Sequence, residues 1–242
     1  MRYPPPSKSV PISLAFLLFS IYLALYVGAV RFEVMPSIVE VEERVIALPE
    51  PSLIGEMSVE EAIYRRRSVR VYLREPLTLK ELGQLLWAAQ GITLPEKGFR
   101  AAPSAGATYP LVLYVSVRGG GVRGLAPGIY LYEPMGHRLY LVKTGDFSEE
   151  LARAALDQSW VRDAPVCIVI TANFERTTSV YGERGVRYVY MEAGHVGQNI
   201  YLQATALGLG TVAVGAFYDE EVRRILGCPE DPLYIFPVGR RA

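Results

Sequence analysis

The chain has 242 residues, half of them hydrophobic, with 25 basic and 25 acidic side chains and a formal net charge of zero. That length and composition suit one enzyme-sized core and exclude a chain disordered throughout. The basic residues fall in local clusters and not in a stripe with interleaved aromatics, so the sequence carries no nucleic-acid footprint.

From Ser9 to Val30 there are 22 residues without a charge. As a helix they would rise about 30 Å, enough to cross a bilayer core. Arg2 and Lys8 before the run are matched by Arg31 and Arg44 after it, and the free amino terminus tips the balance toward an inside N-terminus and an extracytoplasmic domain. A secretory signal is the alternative, with Arg2 and Lys8 as its basic region and Val27-Gly28-Ala29 as a cleavage site. The expectation is a single-pass membrane protein with an anchor or signal over residues 1–31. Residues 32–57 hold Pro36, Pro49, Pro51 and six glutamates, which reads as an extended tether. The folded domain is expected over 58–242.

A short helix is predicted to Arg65, with Ser58 as N-cap and Glu61 completing a capping box. It runs into Arg66-Arg67-Ser68-Val69-Arg70. Three arginines around a serine offer guanidinium forks, a hydroxyl and backbone N–H groups to one phosphate. They also suit a solvated basic turn that compensates the helix dipole. A second helix follows over Leu79 to Gln90, with Thr78 as N-cap and Gly91 as its stop. Pro103-Ser104-Ala105-Gly106-Ala107 is a run of small residues that permits close backbone approach to a planar ligand.

Strands are predicted at Leu111 to Val117, Gly128 to Tyr132, Arg138 to Val142 and Val166 to Thr171, with Gly136-His137 turning between the middle two. A long helix spans about Val186 to Leu207. Strands Gly210 to Phe217 and Leu233 to Val238 then flank a short helix, Asp219 to Leu226. The sum is an α+β sheet with flanking helices. Small residues Ala193, Gly194 and Gly197 mark where the long helix meets a close neighbour, and make it a dimer spine if that neighbour is its symmetry mate.

Three apparent motifs carry no role. Gly119-Gly120-Gly121-Val122-Arg123-Gly124 matches a dinucleotide fingerprint, but another strand follows it and no helix N-terminus receives a pyrophosphate. Glu192 and His195 have the spacing of one half of a di-metal site, in a single copy, and no metal is assigned. Cys167 and Cys228 are too far apart for a metal or redox motif.

Taken in order, Arg66-Arg67-Ser68-Val69-Arg70, Pro103 to Pro110, Glu192-Ala193-Gly194-His195-Val196-Gly197-Gln198-Asn199, Gly208-Leu209-Gly210, Gly215-Ala216-Phe217 and Pro237-Val238-Gly239 resemble the nitroreductase superfamily. They are most similar to its SagB-type dehydrogenase branch, and the resemblance covers about Ser58 to Arg241. It implies a mostly antiparallel sheet flanked by helices, a homodimer, and FMN at each subunit interface. Arg66, Arg67, Ser68 and Arg70 would bind the phosphate and polar edge. Pro103, Ser104 and Ala105 would reach the same flavin from the partner, and Ala213-Val214-Gly215-Ala216 would pass along the ring near N5. Arg240 and Arg241 would add positive charge.

The resemblance also implies a Lys-Tyr pair in azoline-oxidising members, where this chain has Val180-Tyr181. Valine cannot move a proton, whereas Tyr181 remains a candidate acid or hydrogen-bond donor. The implied activity is an FMN-dependent oxidoreductase passing hydride through flavin N5 to a small-molecule substrate. The alternatives are a nitro or quinone reductase fed by NAD(P)H, and a membrane-tethered module that binds flavin or a partner without turnover.

Overall fold

The computed structural model describes residues 45–242. The elements are β1 (Val45–Ala47), α1 (Val59–Arg65), α2 (Leu79–Gln90), β2 (Ile92–Leu94), β3 (Phe99–Arg100), β4 (Leu111–Val117), β5 (Gly128–Glu133) and β6 (Arg138–Thr144). They continue as α3 (Ser148–Ala154), α4 (Ser159–Asp163), β7 (Val166–Ala172), α5 (Glu175–Tyr181), α6 (Arg184–Ala206), β8 (Leu209–Thr211), α7 (Asp219–Leu226) and β9 (Asp231–Arg240). Seven strands form one sheet in the order β1-β6-β5-β4-β7-β9-β8, every pair antiparallel. A β2–β3 hairpin stands apart.

The central strands read as unbroken apolar runs because both faces are covered. In β7, Val166, Ile168 and Ile170 join the core under α2 and α6. Cys167 and Val169 point the other way, into a second core beneath α3, α4 and α7. Leu82, Leu85, Leu86 and Ala89 of α2 and Val189, Ala193, Val196 and Ile200 of α6 supply the first core. Thr78 starts α2 with a full capping box: Glu81 N–H donates to Thr78 Oγ1 at 3.2 Å, and Thr78 N–H donates to Glu81 Oε2 at 2.7 Å.

Several expectations are corrected. Ser58 caps α1 through Glu61 N–H at 3.1 Å, but the Glu61 carboxylate pairs with Arg65 at 2.7 Å, so that capping box stays half made. The late strand is shorter than Gly210 to Phe217. After Thr211 only Val214 bridges to the sheet, at Ile235, because the Tyr201 hydroxyl takes the Ala213 N–H at 2.8 Å. Val45–Ala47, inside the stretch read as a tether, forms an edge strand on β6. Just beyond it the Gln84 amide clamps both backbone groups of Ser52, at 2.7 and 3.0 Å.

The small residues of α6 do not act together. Ala193 is buried at 1% exposure, and a Cβ on Gly197 would lie 2.8 Å from the Phe236 ring, so both serve packing onto the chain's own sheet. Only Gly194 faces open space. The single-pass membrane placement is also corrected: among the described residues no helix is long and apolar enough to cross a membrane. The segment 1–31 on which that expectation fell lies outside the described residues.

Candidate active site

The arginine turn leaves α1 and runs along the sheet edge. Ser68 makes a parallel bridge with Thr211 of β8, and Val69 N–H donates to Thr211 O at 2.9 Å. Gly210 permits this approach, since a Cβ there would meet Val69 Cγ1 at 2.6 Å. Tyr72 fixes the end of the turn by donating its hydroxyl to Val69 O at 2.8 Å and Pro237 O at 3.1 Å. Burial pushes the Tyr72 phenol well above its ordinary range, so it acts as a donor only.

Tyr201 joins the pieces. Its hydroxyl accepts Ala213 N–H at 2.8 Å and lies 3.1 Å from Ser68 Oγ, while the Arg66 guanidinium sits 5.1 Å above its ring. Arg241 reaches the same corner, donating to Leu209 O at 3.0 Å and Thr205 Oγ1 at 3.5 Å. Arg70 lies 5.4 Å over the Trp160 ring. Among the described residues no carboxylate pairs with Arg66, Arg67, Arg70 or Arg241.

Two of the predicted arginines are otherwise engaged. Arg67 turns back on α1 and donates to Tyr64 O at 2.8 Å and Arg66 O at 2.7 Å, satisfying carbonyls at the helix end. Arg240 faces Glu81 at 3.0 Å and Glu75 at 3.5 Å. Ala213 to Ala216 continue from β8 toward α7, with Gly215 and Ala216 exposed, and Gln158 donates to Ala216 O at 3.0 Å.

Pro103, Ser104 and Ala105 stand elsewhere in the same chain. Their loop packs on α5 and the N-terminal half of α6: Thr108 Oγ1 lies 2.8 Å from Thr177 Oγ1, and a Cβ on Gly106 would meet the Tyr181 hydroxyl at 2.5 Å. Tyr181 in turn stacks edge-on against Tyr188 at 5.2 Å. The loop's neighbour Glu192 and the turn's neighbour Tyr201 are nine residues apart on α6, about 13 Å along the axis. One copy of the chain therefore does not bring the two halves of the predicted site together.

A groove of about 640 Å³ between residues 52–59, α2 and α6 includes none of the sequence-predicted site residues. Burial raises both thiols, Cys167 far above its ordinary value and Cys228 to about 11, so neither is a nucleophile. Tyr201, Thr205, Tyr72 and Trp160 carry no signal in the sequence, because single aromatics and hydroxyls at helical or strand spacing look like core.

The nitroreductase family profile matches residues 63–240. The chain belongs to the nitroreductase family. It is 53% identical over 196 residues to a nitroreductase of Methanocaldococcus jannaschii, an alignment covering 81% of this chain and 96% of that one. A solved nitroreductase from Ralstonia eutropha superposes with a TM-score of 0.71 at 29% identity, over 82% of this chain and 90% of the other. Two more distant structures share the fold. The Escherichia coli microcin synthetase McbBCD complex gives 0.64 at 19% identity over 96% of this chain and 95% of the matched one. The NADPH:FMN oxidoreductase of Vibrio harveyi gives 0.54 at 19% identity, over 76% and 68%. Nitroreductases are oxidoreductases that generally bind flavin, are typically dimeric and use NAD(P)H.

Proposed function

We propose that this nitroreductase is an FMN-dependent oxidoreductase working as a homodimer, with each flavin held between the arginine turn of one copy and the Pro103–Ala105 loop of the other. The observation that carries this reading is a set of guanidiniums without carboxylate partners among the described residues: Arg66 over the Tyr201 ring, whose hydroxyl meets Ser68, Arg241 on Leu209 O and Thr205, and Arg70 over Trp160. Cations left uncompensated beside a sheet edge fit an anionic group such as a phosphate monoester.

When bound, FMN supplies the hydride and electron transfer. The protein's part is placement. Arg66, Arg70 and Arg241 hold the phosphate, Ser68 donates its hydroxyl, and Tyr201 pins Ala213 so that Ala213–Ala216 stay extended along the ring. Arg240, neutralised by Glu75 and Glu81, anchors the chain end and adds little charge to the phosphate. Arg67 caps α1.

For the substrate step, Tyr181 offers its hydroxyl as a hydrogen-bond donor, a role that the nearness of this hydroxyl to Gly106 of the loop supports. Its neighbour Val180 is 62% exposed and has no proton to move. That favours reduction of a small nitro or quinone acceptor by NAD(P)H over azoline oxidation. The relatives named for nitroreductase and NADPH:FMN oxidoreductase activity support the same direction.

The reading is tested by FMN titration of the wild-type chain and of Arg66→Ala, Arg70→Ala, Arg241→Ala and Arg240→Ala. Each of the first three should weaken FMN by about 10–150-fold, one charge-assisted bond of roughly 1.5–3 kcal/mol, and Arg240→Ala by much less. Equal affinity in all five proteins would contradict it, as would a wild-type chain that binds FMN but leaves NAD(P)H unoxidised with every nitro and quinone acceptor tried.

A further inference from the structure

Buried polar side chains that the proposed reaction does not use converge beneath the 103–109 loop. Glu192 of α6 is 3% exposed and Gln90, the last residue of α2, is 1% exposed. Gln90 Nε2 donates to Glu192 Oε1 at 3.5 Å, and Gln90 Oε1 accepts from Arg100 Nη1 at 2.9 Å. The Arg100 guanidinium stacks 4.5 Å from the Tyr109 ring centre, and its backbone N–H donates to Tyr109 Oη at 3.3 Å. Tyr109 N–H donates to Ser104 Oγ at 2.9 Å. Ser104 neighbours the Glu192 carboxylate, so Glu192, Gln90, Arg100, Tyr109 and Ser104 form a ring of five residues whose Tyr109–Ser104 step is made by the Tyr109 backbone N–H. Burial raises the Glu192 pKa against the opposing pull of Ser104, Gln90, Arg100 and His195.

Inside that ring the backbone is strained. Gly106, Ala107 and Tyr109 have φ of 58°, 51° and 45°. For the two that are not glycine the left-handed region is costly, so surrounding contacts must hold them there. Within the loop, Ala107 N–H donates to Ser104 O and Thr108 N–H to Ala105 O, both at 3.2 Å, and Thr108 Oγ1 donates to Ala105 O at 3.0 Å; from α5, Arg176 Nη1 donates to Tyr109 O at 3.1 Å and Thr177 Oγ1 lies 2.8 Å from Thr108 Oγ1. A solvated loop needs no buried acid beneath it. A loop that must present one shape does.

We propose that Glu192 is the positioning residue of this loop, acting on Tyr109 through Gln90 and Arg100 so that Gly106, Ala107 and Tyr109 keep their left-handed backbone and the loop keeps the shape in which it meets the flavin carried by a second copy. The ligand half of this statement rests on the function proposed above; the loop half stands without it. The test is hydrogen exchange at the Ala107, Thr108 and Tyr109 amides in wild type, Glu192→Ala, Glu192→Gln and Ser104→Ala, together with the FMN dissociation rate of each.

The expected result is exchange at those amides about tenfold faster in Glu192→Ala, the loss of one buried hydrogen bond, while Val115 and Ile168 in the sheet stay protected. Glu192→Gln, which keeps the shape and one acceptor, should restore most of it, and FMN should leave faster in the order of loop exchange. Unchanged exchange at 107–109 in Glu192→Ala, or exchange raised equally at Val115 and Ile168, overturns the proposal; if Glu192→Ala does not fold, Ser104→Ala decides between the same two outcomes. A wild-type chain that takes up no FMN overturns the ligand half and the proposed function together, while exchange still decides the loop half.

Discussion

Replacing Tyr201 by phenylalanine isolates the hydroxyl that joins the arginine turn to the Ala213–Ala216 segment. The ring contacts survive in the variant: Arg66 above it at 5.1 Å and Phe236 edge-on at 5.6 Å. Lost are an acceptor for Ala213 N–H at 2.8 Å and a partner for Ser68 Oγ at 3.1 Å. Ser68 is exposed and turns to water at little cost, whereas Ala213 is half-buried, so its N–H bears most of the penalty. An unpaired buried donor costs about 1–3 kcal/mol; half-burial puts Tyr201→Phe at about 1–2 kcal/mol. For a domain of this size that lowers Tm by roughly 2–8 °C, measurable by calorimetry. FMN affinity should fall by about 5–30-fold in a fluorescence titration, because the segment along the ring is no longer pinned. Ser68→Ala should weaken FMN while leaving Tm nearly unchanged. A Tyr201→Phe protein with wild-type Tm and wild-type FMN affinity would show that this hydroxyl pins nothing.

Gly106→Ala should cost about 1–2 kcal/mol from the left-handed backbone alone and displace the Tyr181 hydroxyl; urea unfolding measures the first, and Tyr181→Phe in the same background should recover only the steric part. Arg240→Ala should lower stability by roughly 1–3 kcal/mol, since Glu81 at 17% side-chain exposure loses its cation, with FMN affinity close to wild type, whereas Arg241→Ala should do the reverse. His137 bonds Tyr132 Oη at 2.9 Å and Pro49 O at 3.1 Å, and burial lowers its pKa against the pull of Pro49 O and Glu50. The unfolded chain then takes up that proton first, so the His137 contribution is fully present above about 6.5 and is lost as pH falls through the folded value. The stability gap between wild type and His137→Gln should narrow on acidification from pH 7 to 5, and a constant gap would count against it.

Strong local signals carried the sheet and the larger helices. Leu111–Val117 and Asp219–Leu226 appear with their predicted bounds, because an apolar run closed by a turn and a helix with three acids in its first turn are self-announcing. α5 was not legible: Glu175-Arg176-Thr177-Thr178-Ser179-Val180-Tyr181 is poor in helix formers and has no side-chain cap, and packing against α6 decides it. Leu156 and Asp157, at φ of 58° and 57°, interrupt α3 and α4 where no glycine gives warning. In the site, the arginine turn could be read because charge and spacing are local. The separate fates of Arg240 and Arg241 could not, since they depend on Glu75, Glu81 and Leu209 folding around adjacent residues.

Everything above turns on a phosphorylated flavin bound at the Arg66–Arg70 turn. The most direct test is the absorption spectrum of the purified protein, followed by heat release and mass identification of whatever is bound. The spectrum should show the bands of an oxidised flavin, with FMN in the released fraction; a colourless protein that takes up no added FMN would rule out a flavin at the turn.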